Sequence, residues 1–181
     1  MKKKIDRVLN FWFEDCNPKD WFKKDKYFDY QINKNFGYLI EDAVLGYLND
    51  WQKSLDGSLA LIISTDQFTR NVFRGTPRSF SGDMLALRTC LHCLCSFDVS
   101  QEKKERSHFI LIPLMHSENL KFQEMSMPLF QMHTSEKVYQ YALKHKNIIA
   151  RFGRFPHRNV ILGRASTKSE IQFLKSPGSS F

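Results

Sequence analysis

The stretch "RFGRFPHRN", residues 151–159, places Arg151, Arg154, His157 and Arg158 on a backbone freed at Gly153 and stiffened at Pro156. Proline pushes the residue before it, Phe155, towards an extended conformation, and glycine accepts the positive φ that ends a helix. Phe152 and Phe155 can anchor such a segment in a core, so that the guanidinium and imidazole groups project from a rigid frame. The planar fork of arginine meets carboxylate or phosphate oxygens two at a time, and rigidly placed donors are what a selective anion site requires. The same rigidity suits braces from these arginines to Asp66, Asp83 or Glu118, and His145 can join either network. The two roles differ in consequence. An arginine serving only a ligand can be removed with folding nearly intact, whereas a brace cannot.

Two further stretches carry polar groups where apolar ones are expected. "SLALIISTDQFTRNVFR", residues 58–74, begins apolar on every side, the mark of a helix buried all round, yet continues through Asp66, Gln67, Arg70, Asn71 and Arg74. Asp66 and Arg70, four apart, share a helix face, and buried charges must be paired with one another or with a ligand. "PLMHSEN", residues 113–119, puts His116 at a helix end, with Ser117 expected to cap the next helix and Glu118 in its first turn. The helix dipole alone accounts for a histidine there, and an acid–base pair with Glu118 requires contact that spacing does not establish. The candidate ligand-binding set is therefore Arg70, Arg74, His116, Arg151, Arg154, His157 and Arg158, supported by Asp66, Asn71 and Glu118. It points to a small anionic ligand or an acidic peptide. The alternatives are an enzyme using His116 or His157 as acid/base on an arginine-bound substrate, and a helical-repeat interaction module.

The chain of 181 residues is 42% hydrophobic and 25% charged, with sixteen Phe, six Tyr and three Trp, which predicts a phenylalanine-rich core. Trp12 and Trp21 are expected in that core, or as apolar walls of the site. The net charge of +8 favours acidic partners. It is spread over the lysines near 2–4, 19–26 and 103–106 and the basic residues of 144–164, so a nucleic-acid footprint is disfavoured. Of the cysteines, Cys90, Cys93 and Cys95 crowd one helix without a second ligand pair. They read, with Cys16, as reduced thiols, the helical three as packing residues; no metal or cofactor is expected. Reduced thiols suit a cytoplasmic protein. No apolar run reaches membrane-span length, and "MKKKIDRVLNFWF" imitates a signal peptide only in its lysines.

Helix signals recur along the chain and strand signals are nearly missing. Val8, Leu9, Trp12 and Phe13 mark a first helix; Phe28, Ile32, Phe36, Leu39 and Ile40 a second. Asp56-Gly57 reads as a turn, Gly75 as a helix stop, and Thr76-Pro77 as an N-cap with proline at the first helical position. The next helix carries Phe80, Met84, Leu87, Leu91 and Leu94. Pro113 is expected to bend or weaken the one after it. A helix from 135 stops at Gly153, and Thr167 with Glu170 has capping-box spacing. The expectation is an all-α fold of eight or nine helices, stacked as antiparallel hairpins in one domain over residues 1–181.

The motifs "VLNFWF", "WFKKD", "LALIISTDQFTRNVFRGTPRSFSGDMLAL", "IPLMHSEN", "HKNIIARFGRFPHRNVILGRAST" and "FLKSPGSSF" run the length of the chain. In these the sequence resembles a bacterial family of uncharacterised proteins with a TPR-like all-helical fold. The resemblance implies that fold and an intracellular globular protein, and it implies no reaction. It also implies His-Ser-Glu-Asp where this chain has His116-Ser117-Glu118-Asn119, which removes one acid from that turn. The cysteines of 90–95 lie outside the family motifs.

Overall fold

The computed structural model describes residues 1–179; Ser180 and Phe181, the last two residues of the terminal motif, lie outside the described residues. The described chain is helical, without strands. Helix α1 (Lys2–Asn10) runs on into a π-helical turn (Phe11–Asp15), and α2 spans Lys26–Val44. A continuous rod follows: α3 (Leu55–Ile62), a π-helical turn (Ile63–Gln67) and α4 (Phe68–Val72). Then come α5 (Asp83–Ser96), α6 (Lys104–His116), α7 (Leu120–His133), α8 (Glu136–Phe152) and α9 (Lys168–Leu174), with a 3-10 turn at Pro156–Arg158. Counting the rod as one helix gives eight among the described residues.

Local chemistry sets most of the ends. Side chains of Asp25, Ser54 and Ser135 accept the free N–H groups that open α2, α3 and α8. Thr167 and Glu170 form the expected reciprocal capping box. Gly153, at φ 69°, ends α8 in the left-handed conformation.

The rod is the centre of the molecule. Residues 57–69 are all buried, and α3 packs against α1, α5 and α6 while α4 packs on α2. From α5 to α8 each helix packs on the next. The aromatic residues supply the core around the first half of the chain: Trp12 meets Trp21, Phe68 and Phe109, and Phe68 meets Phe36. Each such buried ring contributes roughly 1.5–3 kcal/mol by leaving water. Trp12 and Trp21 are thus core residues.

Several local expectations change. Asp56-Gly57 is not a turn but the first turn of α3. Glycine is required there because a Cβ would sit 2.0 Å from the Trp51 carbonyl oxygen. Thr76 and Pro77 stand at the N-cap and first position as expected, but of a short 3-10 turn, Pro77–Phe80; the Thr76 hydroxyl makes no capping bond and donates back to the Phe73 carbonyl, and α5 starts only after Gly82. The buried face of α5 consequently carries Ala86, Leu87, Thr89, Cys90 and Cys93, and Met84 is exposed. Cys95 is also exposed, so it is not a packing residue, whereas Cys16, Cys90 and Cys93 are buried; all four are free thiols. The cap of α7 is Asn119, which accepts from the Lys121 N–H; Ser117 accepts from the Asn119 N–H instead. Glu118 therefore lies outside the helix. No described helix is long and apolar enough to cross a membrane.

Candidate functional site

The π-helical turn Ile63–Gln67 sets the geometry. It holds Ser64, Thr65, Asp66 and Gln67 inside the molecule, all buried. The hydroxyls of Ser64, Thr65 and Thr69 donate to carbonyls four residues back, which satisfies them without outside partners. Asp66, at 0% exposure, points to the end of α6. His116 Nδ1 lies 3.0 and 2.9 Å from its two carboxylate oxygens, and the Gln67 amide donates to it at 2.6 Å. Single wide turns of this kind recur at functional sites.

Burial opposes ionisation of Asp66, but the charges of Arg70 and His116 and the hydrogen bonds from His116 and Gln67 outweigh it and hold the carboxyl below the ordinary carboxylate range. His116 titrates below its ordinary value: burial disfavours its cation, Asp66 favours it, and Arg70 opposes it again. The pair is thus an ionised carboxylate beside a neutral imidazole. An ionised carboxylate only accepts, so Nδ1 carries the hydrogen and Nε2 is left as an acceptor. This is the arrangement by which a carboxylate orients a histidine for acid–base work.

Two arginines close the cluster. Arg70 Nη1 donates to the Asp66 carbonyl at 2.9 Å and lies 2.8 Å from Asp83 Oδ1. Arg158 Nη1 donates to the other Asp83 oxygen at 3.1 Å, and Nη2 donates to the His116 carbonyl at 3.0 Å. The Arg158 guanidinium lies 4.7 Å from the ring centroids of both Phe80 and Phe155. Glu118 is gripped by Arg164 at 2.7 and 2.9 Å and accepts the Phe155 N–H at 2.8 Å. Burial raises its pKa, and the arginine and backbone donors bring it below the ordinary value.

His116 and Arg158 open on a cleft of about 180 Å³. Its polar wall adds Asp83, Ser117 and Glu118; Met84, Leu87 and Pro113 form the apolar wall. Of the predicted residues, His116, Glu118 and Arg158 line this cleft, and Asp66 and Arg70 lie behind it, bonded to His116 and Asp83. His157 flanks them, half-buried, 5.6 Å from the Phe155 ring. Arg74 is elsewhere, in a bidentate pair with Asp29 and a bond to Asn71, whose own amide donates to the Gln67 carbonyl. Arg154 makes a bidentate pair with Glu170 in α9, and exposed Arg151 stacks over Phe152. The "RFGRFPHRN" segment is therefore divided: Arg158 reaches the cleft, while Arg154 braces α9.

Arg164 is the member of the cluster that spacing did not select. Asp83, expected as one of three carboxylates that could brace the arginines of 151–159, becomes through packing the link between Arg70 and Arg158. Arg164 follows the left-handed Gly163 and has no periodic neighbour to mark it. A larger groove of about 750 Å³ shares no lining residue with the cleft. It is rimmed by Asp6, Glu14 and Glu105 and by Glu102 and Asp56, which Arg106 pairs. It contains no histidine, and the acid–base geometry lies in the smaller cleft. Among the described residues no group of three or more His, Cys, Asp or Glu is placed to hold a metal ion.

No curated protein matches the sequence. A solved structure that resembles it belongs to a protein of unknown function, ATU0120, from Agrobacterium tumefaciens. The two share 32% identity and superpose with a TM-score of 0.91, over 96% of this chain and 98% of that one. The model of a bacterial protein family of unknown function (DUF924) matches residues 8–178. A match over nearly the whole length, in which the Asp66, His116 and Arg158 segments all fall, makes this chain a member of that bacterial family of unknown function.

Proposed function

We propose that the protein binds a small anionic ligand in the cleft beside His116 and Arg158, acting in the cytoplasm as one helical domain over residues 1–181. The observation that carries this is the Arg158 Nε–H. It is buried and has no acceptor among the described residues, while Nη1 and Nη2 each donate one hydrogen, to Asp83 and to the His116 carbonyl. Buried donors without partners are costly, so such a group suits a ligand oxygen. A cleft of about 180 Å³ admits a small anion or one side-chain carboxylate of an acidic peptide.

Thermal melts with lactate, sulfate and phosphate test this. A bound anion raises the melting temperature by mass action, worth about 2.7 kcal/mol at a hundredfold excess over Kd. Arg158→Lys keeps the charge, removes Nε–H, and should abolish the increment. No stabilisation by any anion between about pH 5 and pH 8, the range in which histidine changes charge, would overturn the proposal.

A second reading is acid–base chemistry on that ligand by His116. The two contacts between Nδ1 and the Asp66 oxygens favour it, because they fix the tautomer that leaves Nε2 to accept a proton.

A further inference from the structure

The charges around the cleft already balance before any ligand arrives. Three carboxylates, Asp66, Asp83 and Glu118, are paired with three guanidinium groups, Arg70, Arg158 and Arg164. An anion entering this cluster is therefore uncompensated unless a positive charge comes with it. His116 is the group placed to supply one. It lines the cleft, and its Nδ1–H already rests on an ionised carboxylate that would stabilise the imidazolium.

We infer that the cleft takes up a small monocarboxylate together with one proton, which passes from solvent to His116 Nε2; this rests on the anion-binding reading above. No bond to the ligand is formed or broken. The imidazolium lies between Asp66 on its Nδ1 side and the ligand oxygen on its Nε2 side, and Arg158 Nε–H donates to the ligand. A single titratable group supplies a single charge, so a monoanion is matched and a dianion is left with an excess. The cleft, about 180 Å³, is small, which favours a short hydroxy or keto acid over a larger anion.

The groups facing His116 from each packed element support this assignment. The rod presents Asp66 and Arg70, α5 presents Asp83, and the segment after α6 presents Glu118. From the turn before α9 come Arg158 and His157, from α8 His145, whose ring lies 6.2 Å away, and from α6 itself His108. Burial pushes His108 and His157 down to about 4 and His145 down to about 3. Those three stay neutral, and none of them lines the cleft. The proton therefore goes to His116.

The full chain labelled at histidine nitrogens, titrated with lactate and in parallel with sulfate, tests the inference by NMR. Both probes stay ionised in the working range and are of similar size. Lactate should move the His116 nitrogens from the neutral to the imidazolium signature and shift their midpoint to higher pH. The lactate Kd should rise about tenfold per pH unit between the midpoints of the free and bound protein, as uptake of one proton requires. His116→Gln should bind lactate with a Kd that no longer varies with pH. Lactate binding that depends on Arg158 but leaves His116 neutral at every pH would overturn proton uptake and leave anion binding standing. Sulfate binding as tightly as lactate would overturn selection for the monoanion. Failure of both probes to bind at any pH would remove the anion-binding reading, and this inference with it.

Discussion

At the scale of single residues, Arg158 is both a brace to Asp83 and a wall of the cleft, two placements that the sequence presents as alternatives. It is buried and paired with Asp83, so Arg158→Ala strands part of a carboxylate and should cost roughly 3–5 kcal/mol in urea denaturation. The expectation that a ligand-binding arginine is dispensable for folding does not extend to it. Arg74 supplies the contrast. Its pair with Asp29 is bidentate but more than a third exposed, so Arg74→Ala should cost about 1 kcal/mol or less in the same experiment. Equal losses from the two variants would mean that Arg158 is not the buried member of a balanced cluster. Residues 151–159 thus hold a brace in Arg154, paired with Glu170, and a cleft-lining arginine in Arg158.

At the scale of elements, one close approach, at Gly82, and one helix cap, at Asn119, border the candidate site. Gly82 precedes α5, the helix that carries Asp83, and a Cβ there would lie 2.1 Å from the Thr65 carbonyl oxygen in the π-helical turn. Gly82→Ala should therefore push α5 off the rod and destabilise by roughly 1–3 kcal/mol, the range for overpacking. It should also pull Asp83 from Arg70, read as a loss of anion-dependent stabilisation. Gly153 meets nothing within 4 Å, so Gly153→Ala strains only the φ of 69° and should leave the anion response intact. Asn119 bears on the missing acid of the "HSEN" turn. Its side chain caps α7, a task aspartate performs equally well, so Asn119→Asp should keep stability and Asn119→Ala should lose about 1 kcal/mol. Thermal melts of the three Asn119 forms check this. A large gain in anion affinity in Asn119→Asp would show that the residue acts in the site rather than at the helix end.

At the scale of the whole molecule, buried histidines couple folding to pH. His108 and His145 are buried and held at about 4 and about 3, against 6.5 for the ordinary side chain. Between those values and 6.5 the unfolded chain binds protons that the folded chain refuses, so stability must fall as pH falls through that window. The slope approaches about 1.4 kcal/mol per pH unit for each histidine. Asp66 shifts in the same direction but acts in a lower window: its depressed pKa gives stability that is present above the ordinary carboxylate range and is lost as pH falls below it. Urea midpoints measured from neutral to about pH 5 should decline, and His145→Gln should flatten the curve. A midpoint that does not change over this range would contradict the buried, neutral state of these rings.

The sequence alone determined the helical class, because apolar periodicity and capping chemistry are local. The capping box at Thr167, the stop at Gly153 and the buried first half of residues 58–74 all follow from residues a few positions apart. It also marked Asp66, Arg70, His116 and Arg158 as polar groups needing partners, since a buried charge must be answered somewhere. Which partner answers which was decided by tertiary structure. Asp66 meets His116 fifty positions away, and Asp83 meets Arg158 seventy-five positions away. No period or motif encodes such separations. The same holds for Arg74 and Arg154, whose carboxylates lie on α2 and α9. Types and spacing state what each side chain can bond. Only the packing of the rod against α5, α6 and the 156–158 turn sets the distances, and electrostatic pairing acts through distance.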